Sequence, residues 1–240
     1  MRRFLTLLAL IVGMVNSGIC QVNEIRKASS SRSSSSDNAG PGSATTAAAF
    51  EVLNLSVNAL IEWQRIKLQT RTDNPSIVSF EFIALAAVQP STYYIVNPRI
   101  RGNWGLFSTD FRMNYLIEES PDGVRHIRTD DWQVIELNII TSPKVNFYVG
   151  WGFLHEAFGE DAYHNEWTTC LRISPSRTPF SVQAEYRHSD PRIEINGNIQ
   201  YPLLQKSRGN IYLMAGGAFQ QYYSTIKVWG VQGGIMFRFN

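Results

Sequence analysis

The chain of 240 residues contains few cysteines, no long apolar run and little excess charge. Only Cys170 would remain after removal of the leader that contains Cys20, so a small domain stapled by intramolecular disulfides is excluded. The apolar stretch 4–15 has 12 residues, whereas a membrane-spanning helix needs about 20. A formal charge of +2 and the absence of a basic block give no reason to expect a nucleic-acid partner.

Residues 1–20 are predicted to be a secretory signal peptide. Two arginines precede the apolar stretch, and small polar residues follow it. Cleavage after Cys20 would make Gln21 the first residue of the exported chain. Lipidation of Cys20 stays open as an alternative, although Ile19 is bulky for the position before a lipidated cysteine.

Residues 21–49 are predicted to form a flexible, serine-rich tether. The segment 29–36 is nearly all serine, and glycine, proline and polar residues follow it. Such a composition offers little apolar surface to offset the entropy lost on ordering the chain. The remaining residues, 50–240, are expected to form one domain by length.

From residue 77 onward, apolar and polar residues alternate with a period of two, which predicts β-strands with one apolar face. Turn-forming residues separate the alternating segments, and the short connections favour an antiparallel meander. Ten strands are predicted: 77–89, 93–103, 106–118, 131–142, 145–156, 164–174, 179–189, 192–204, 209–222 and 226–239.

Residues 50–68 also alternate and would make an eleventh strand. Bacterial membrane barrels carry an even number of strands, so this segment conflicts with the rest of the pattern. Ten strands remain the prediction, with eight and twelve as alternatives. The longer polar connections at 119–130 and 157–163 are expected to lie outside the cell.

The last strand carries the most specific motif of the chain. Gln232, Gly234, Phe237 and Phe239 follow the order polar-x-Gly-x-x-aromatic-x-aromatic, one residue before the end of the sequence. This motif resembles the closing strand of small β-barrel proteins of the Gram-negative outer membrane. The resemblance covers about 77–240 and is generic outside the motif. It implies an all-β, antiparallel up-and-down transmembrane barrel, outer-membrane lipid around it, and recognition of the last strand by the barrel-assembly machinery.

Aromatic residues lie near the ends of the predicted strands, as in the interfacial girdles of membrane barrels. A water-soluble β-sandwich or lipocalin-like binding protein would also alternate, and it stays open as an alternative. The aromatic positions are Trp104, Phe107, Trp132, Trp151, Trp167, Tyr201, Tyr222 and Trp229.

The polar faces of the strands carry six arginines and five carboxylates, a nearly balanced set. A narrow barrel has a lumen filled by side chains, and an unpaired buried charge costs several kcal/mol. The balance therefore predicts a paired lumen network more than an ion-selective pore, which stays open as a narrow pathway for small solutes or ions. The set comprises Glu81, Arg99, Arg101, Asp110, Arg112, Glu136, Arg172, Glu185, Arg187, Glu194 and Arg238.

Residues that could carry chemistry do not form a recognisable constellation. His126 lies in a polar predicted loop, and His188-Ser189-Asp190 contains the residue types of a hydrolytic triad without its spacing. No catalytic residue, metal site or cofactor is predicted, and the expected role is structural or interactive. A lipid-acting or proteolytic outer-membrane enzyme remains an alternative. The densest group of potential metal ligands comprises His155, Glu156, Glu160, Asp161, His164 and Glu166.

Overall fold

Ten strands and two helices make up most of the regular structure in the computed structural model, which describes residues 21–32, 46–89, 93–120, 123–158, 161–206 and 209–240. The helices are α1 (Gln21–Arg32) and α2 (Thr46–Gln69), and two short 3-10 helices, Thr70–Thr72 and Pro75–Ile77, lead into the first strand. The strands are β1 (Val78–Val88), β2 (Tyr93–Trp104), β3 (Phe107–Ser120), β4 (Gly123–Thr141), β5 (Val145–Glu156), β6 (Ala162–Ile173), β7 (Ser181–Ser189), β8 (Arg192–Lys206), β9 (Gly209–Tyr222) and β10 (Ile226–Phe239).

The strands form one closed antiparallel barrel. Each strand pairs with its neighbours in sequence, and β1 pairs with β10 to close the ring, with Glu81 opposite Arg238. The predicted ten-stranded up-and-down barrel is confirmed, and the alternatives of eight and twelve strands are wrong. Because the ring of strands is closed, the β-sandwich alternative is also wrong.

The two ends of the barrel differ in what they carry. Val78 and Phe239 lie at one end, here called the terminal end, together with the β2–β3, β4–β5, β6–β7 and β8–β9 connections. The opposite end, here called the loop end, carries the other five connections. At the terminal end, the β2–β3 turn is tight, and Gly105 adopts φ +75°, a conformation that other residues rarely take.

Strand β4 begins earlier than predicted. Residues 119–130 were expected to be a long loop, but β3 and β4 extend through this region as a hairpin with only 121–122 between them. Alternation continues here, since Ile127 and Thr129 are buried while His126 is exposed. The Pro-Asp-Gly turn sequence at 121–123 was the signal for this hairpin.

Residues 50–68 form most of helix α2 and not a strand. The segment contains no glycine or proline, and its four leucines, two glutamates, one arginine and one lysine favour helix. Leu60, Trp63, Gln64 and Leu68 are partly buried with helical spacing, and Gln64 accepts a hydrogen bond from the Leu106 amide at 2.5 Å. Neither helix in the described part of the chain is both long and apolar enough to cross a membrane.

The region predicted as a tether contains helix α1. Val22 and Ile25 are buried against inward-facing side chains at the loop end of the barrel, and this tertiary contact offsets the ordering entropy that the composition alone would leave uncompensated. Residues 1–20 and 33–45, with the predicted signal peptide and most of the serine run, lie outside the described residues.

The barrel is apolar outside and charged inside. Outward positions of β1 and β2 are aliphatic, aromatic or small, with exposed Phe80, Phe82, Val96 and Ile100 among them. Of the eight aromatic positions predicted to face outward, seven do so, whereas Tyr222 is 1% exposed and points into the lumen. Inward positions carry buried arginine, glutamate, aspartate, asparagine and glutamine.

Candidate functional site: a charge network across the lumen

Alternation along the strands directs all eleven predicted network residues into the lumen. Each lies at an inward position, and all but Arg172, which is partly buried, are buried. Asp131, Glu166 and Arg192 join them in the same ion pairs. The resulting network contains seven arginines and seven carboxylates among the described residues, divided into a central group and a terminal group.

Arg99 and Arg187 bridge β2, β3 and β7 in one half of the central group. Arg99 donates from Nε to Asp110 at 2.7 Å and from Nη1 to Glu185 at 2.7 Å. Arg187 donates from Nε to the other oxygen of Glu185 at 2.6 Å and from Nη2 to the other oxygen of Asp110. The two guanidinium groups therefore share the same two carboxylates across the lumen.

Arg112 and Arg192 form the other half of the central group. Arg112 donates to both oxygens of Glu194, at 2.5 and 2.8 Å, and from Nε to Asp131 at 2.8 Å. Arg192 donates from Nη2 to Asp131 at 2.6 Å and to Glu166 at 3.0 Å. Glu166 also accepts from Arg187 at 3.2 Å, so the two halves are one continuous network.

The terminal group is smaller and lies towards the terminal end. Arg238 donates to Glu81 at 2.8 Å across the seam between β10 and β1, and Arg172 lies 3.7 Å from the same carboxylate. Arg101 pairs with Glu136 at 2.9 Å, and its guanidinium stacks 3.7 Å from the centre of the Tyr148 ring.

Charge is balanced over the whole network but not within each group. The central group has four arginines and five carboxylates, and the terminal group has three arginines and two carboxylates. The excess negative charge of one group thus faces the excess positive charge of the other. Arginine suits this arrangement because its planar fork pairs with two carboxylates at once.

Three residues of the network were not predicted from the sequence. Asp131 was assigned to the first position of β4, next to a predicted loop, and Arg192 follows a proline turn. Glu166 was grouped with potential metal ligands. Extending the alternation of β4 back through Thr129 and Ile127 would have placed Asp131 on the inward face.

Amide side chains add hydrogen bonds to the network. Gln133 donates to Glu166 at 2.7 Å, and Gln220 donates to Glu194 at 3.3 Å. Gly150 supplies the space that Glu136 needs, since a Cβ there would lie 2.8 Å from its Cγ. Buried charges are stabilised when hydrogen bonds fill their bonding capacity, and these amides fill part of it.

A small polar cavity of about 30 Å³ lies beyond the terminal group. Arg101, Arg172 and Glu81 line it, together with polar side chains of the adjacent strands. The Arg172 Nε and Glu81 Oε2 atoms are buried without a hydrogen-bond partner in the structure. Space for a water molecule begins at about 10–15 Å³, so ordered water can hydrogen-bond to these atoms.

The closing-strand motif divides between the two faces of β10. Gln232 points inward and donates to the Asn198 side chain at 2.6 Å, whereas Phe237 and Phe239 point outward with 41% and 49% exposure. Gly234 faces inward where β10 meets β1, and a Cβ there would collide with the Ala84 carbonyl oxygen.

The histidines do not converge on a catalytic or metal site. His155 faces outward, with Nε2 2.5 Å from Asp161 and its ring stacked on Tyr163, whereas the next residue, Glu156, faces inward. Alternation separates exposed His188 from buried Ser189 in the same way. Glu160 lies outside the described residues, and among those described no group of three or more His, Cys, Asp or Glu could hold a metal ion.

No protein-family model matches the chain, and neither does any curated protein. Among solved structures, the N-terminal β-barrel domain of Pseudomonas aeruginosa OprF is similar, with a TM-score of 0.34 and 13% identity over 67% of this chain and 97% of that chain. Similarity at this level says nothing about the function of the present chain.

Proposed function

We propose that the protein is an integral outer-membrane β-barrel whose lumen is filled by the arginine–carboxylate network, with a structural or interaction role. The observation that carries this proposal is the inverted distribution of polarity. A barrel in water buries its apolar face, whereas this one exposes the apolar face and directs fourteen charged groups, thirteen of them buried, into ion pairs in the lumen. Apolar solvent around the barrel accounts for both faces together.

The outward surface supports a membrane belt. Among the described strand residues, outward-facing charged side chains occur only near the strand ends, or on the loop-end side of the outward-facing Trp132 and Trp229. Glu119, Arg128, Asp130 and Lys227 lie on the loop-end side, and Lys206 lies at the terminal end. Between these limits the outward surface is the kind that hydrocarbon chains solvate.

The outer membrane is proposed because strands, and not apolar helices, would cross the bilayer. The predicted signal peptide and the closing-strand motif support export and insertion by the barrel-assembly machinery. In this orientation the terminal end faces the periplasm and the loop end faces the exterior. The loop end, where β3 and β4 project furthest, is then the surface available to partners.

The lumen network supports a structural role over transport. Ion pairs such as Arg99–Glu185 and Arg112–Glu194 join strands on different sides of the barrel, and opening a path through them would leave buried charges unpaired. Breaking one buried pair costs about 3–5 kcal/mol. A narrow pore is the competing function, and it requires such rearrangement.

Two measurements test the proposal. Cell fractionation followed by a carbonate wash is expected to leave the protein in the outer-membrane pellet, and release by osmotic shock would contradict the membrane assignment. Purified protein in a planar lipid bilayer is expected to give no stepwise current above that of the detergent control. Reproducible steps would favour the narrow pore over the closed structural barrel.

A further inference from the structure

The lumen changes character at the loop end. Above the charge network, six inward side chains form an apolar surface, here called the mouth cup: Tyr93, Ile95, Leu116, Ile127, Tyr222 and Val228. None is more than 6% exposed. An apolar surface facing the opening of a lumen would contact water unless something covers it.

Helix α1 covers the mouth cup. Val22 and Ile25 pack into it with 1% and 0% exposure, and Ser29 is buried one turn further along the same helix face. These positions follow the i, i+3, i+7 spacing by which one helical face meets a surface. The helix touches β3, β4 and β10, so it lies within the ring of strands at the loop end.

Two carboxylates at the rim of the cup hold the polar groups of α1. Glu118 accepts a hydrogen bond from the backbone amide of Val22 at 3.1 Å. Glu156 accepts one from the Ser29 hydroxyl at 3.2 Å. An acidic group at the first turn of a helix is favourable because that turn presents free amide donors.

Two further hydrogen bonds at the loop end support the position of helix α1. Arg26 donates from Nη2 to the backbone carbonyl of His126 at 2.9 Å, and the Tyr223 hydroxyl donates to Glu156 at 2.6 Å. Burial and the bond to Glu156 raise the pKa of Tyr223 above its usual range, so this phenol remains a donor at a pH at which a free tyrosine ionises.

The helix itself contributes little to its own stability. It has 12 residues, and Val22 and Ile25 are its only large apolar side chains. Isolated helices of this length are marginal in water. Helical structure in this segment therefore depends on the cup, whereas the barrel has its own closed hydrogen-bonding ring without α1.

We propose that the mouth cup is a binding site for a short helical peptide, and that α1 is its resident intramolecular occupant. A ligand of this class presents two aliphatic side chains three residues apart, free amides in its first turn towards Glu118, and a hydroxyl or basic group towards Glu156. Displacement of α1 opens the site to such a peptide from another chain. The proposal rests on the barrel and not on its membrane location.

The test uses the full-length barrel and a fluorescein-labelled synthetic peptide of residues 21–32. Val22→Asp combined with Ile25→Asp is expected to displace α1, because both charges would otherwise enter the apolar cup. Asn23→Asp adds a charge to the same helix outside the cup and serves as the matched control. Fluorescence anisotropy should show peptide binding to the double variant at least tenfold tighter than to wild type or the control. Equal binding to all three, or none to the double variant, would overturn the proposal.

Specificity is tested with changes on each side of the interface. A peptide carrying the same two aspartates should not bind the displaced barrel. Adding Ile127→Asp to the displaced barrel should abolish binding while the gel mobility of the unheated protein stays that of a folded barrel. Binding that survives Ile127→Asp would place the peptide elsewhere and contradict the assignment.

Wild-type protein provides a second readout if the double variant does not fold. Helix α1 contains trypsin sites at Arg26 and Lys27, which docking should protect. Unlabelled wild-type peptide in excess is expected to accelerate cleavage there, whereas the aspartate peptide is not. Cleavage that does not respond to the wild-type peptide would show that α1 is not exchangeable.

Discussion

Arg112 on β3 and Glu194 on β8 meet across the lumen as a two-pronged pair, with guanidinium nitrogens 2.5 and 2.8 Å from the two carboxylate oxygens. Both side chains are almost fully buried. They lie 82 residues apart in the chain, so only barrel closure brings them together. The pair shows how the lumen ties strands that are not neighbours in the sheet.

Glu194→Gln should destabilise the barrel by roughly 3 kcal/mol, because it keeps the volume of the side chain while leaving the Arg112 charge short of a partner. Equilibrium unfolding in urea, with the protein in lipid vesicles, measures the effect. Lys227→Gln removes an exposed charge at the loop end and should change the free energy of unfolding by less than about 0.5 kcal/mol. Equal effects of the two changes would argue against the network as a source of stability.

Arg192→Met should lower the free energy of unfolding about as much as Glu194→Gln does. Asp131 and Glu166 would both lose an ion-pair partner. Adding Glu166→Gln should recover part of the loss by restoring the charge difference of the central group. The coupling between the two changes, measured in a double-mutant cycle of unfolding free energies, is expected to be at least about 1 kcal/mol. Additive effects would contradict a shared network.

Gly234→Ala should impair barrel formation, because the new methyl group would collide with the Ala84 carbonyl oxygen at the seam between β10 and β1. Gly233→Ala is the matched control, since its Cβ would make only an ordinary contact, 3.8 Å from the Met214 carbonyl oxygen. The folded fraction after dilution from urea into detergent micelles should fall for the first and stay unchanged for the second. Similar folding of both variants would indicate that the seam relaxes to admit a side chain.

Phe237→Asp should lower stability by roughly 2 kcal/mol, since it removes an apolar side chain from the proposed lipid-facing surface and places a charge there. Lys227→Asp changes an outward residue beyond the belt and is expected to be tolerated. Abundance in the outer-membrane fraction gives the comparison in cells. Normal abundance of Phe237→Asp would count against lipid at this face.

Strand positions could be predicted from the sequence because a period of two is a local property. It placed Arg112 and Glu194 on polar faces without any knowledge of their partner. Their pairing could not be predicted, since it depends on ring closure and on the stagger of the strands around it. Asp131 was missed for a local reason, because residues 119–130 were predicted to be a loop although β4 begins at Gly123.

Helix α2 shows that a period of two does not always indicate a strand. Leu53, Leu55 and Val57 alternate like a strand, but the side chains that contact the barrel follow helical spacing further along the segment. Helix α1 could not be predicted from composition, because the apolar surface that orders it comes from six residues on five strands. Contacts with the barrel, and not the local sequence pattern, account for the helical structure of both segments.

The most direct test of the membrane barrel is the migration of the unboiled protein on a denaturing gel after detergent extraction of the outer-membrane fraction. A closed barrel held by ten paired strands and a buried charge network should resist the detergent, migrate faster than the boiled protein, and shift to the unfolded position on heating. A protein that is absent from this fraction, or whose migration does not change on heating, would contradict the account.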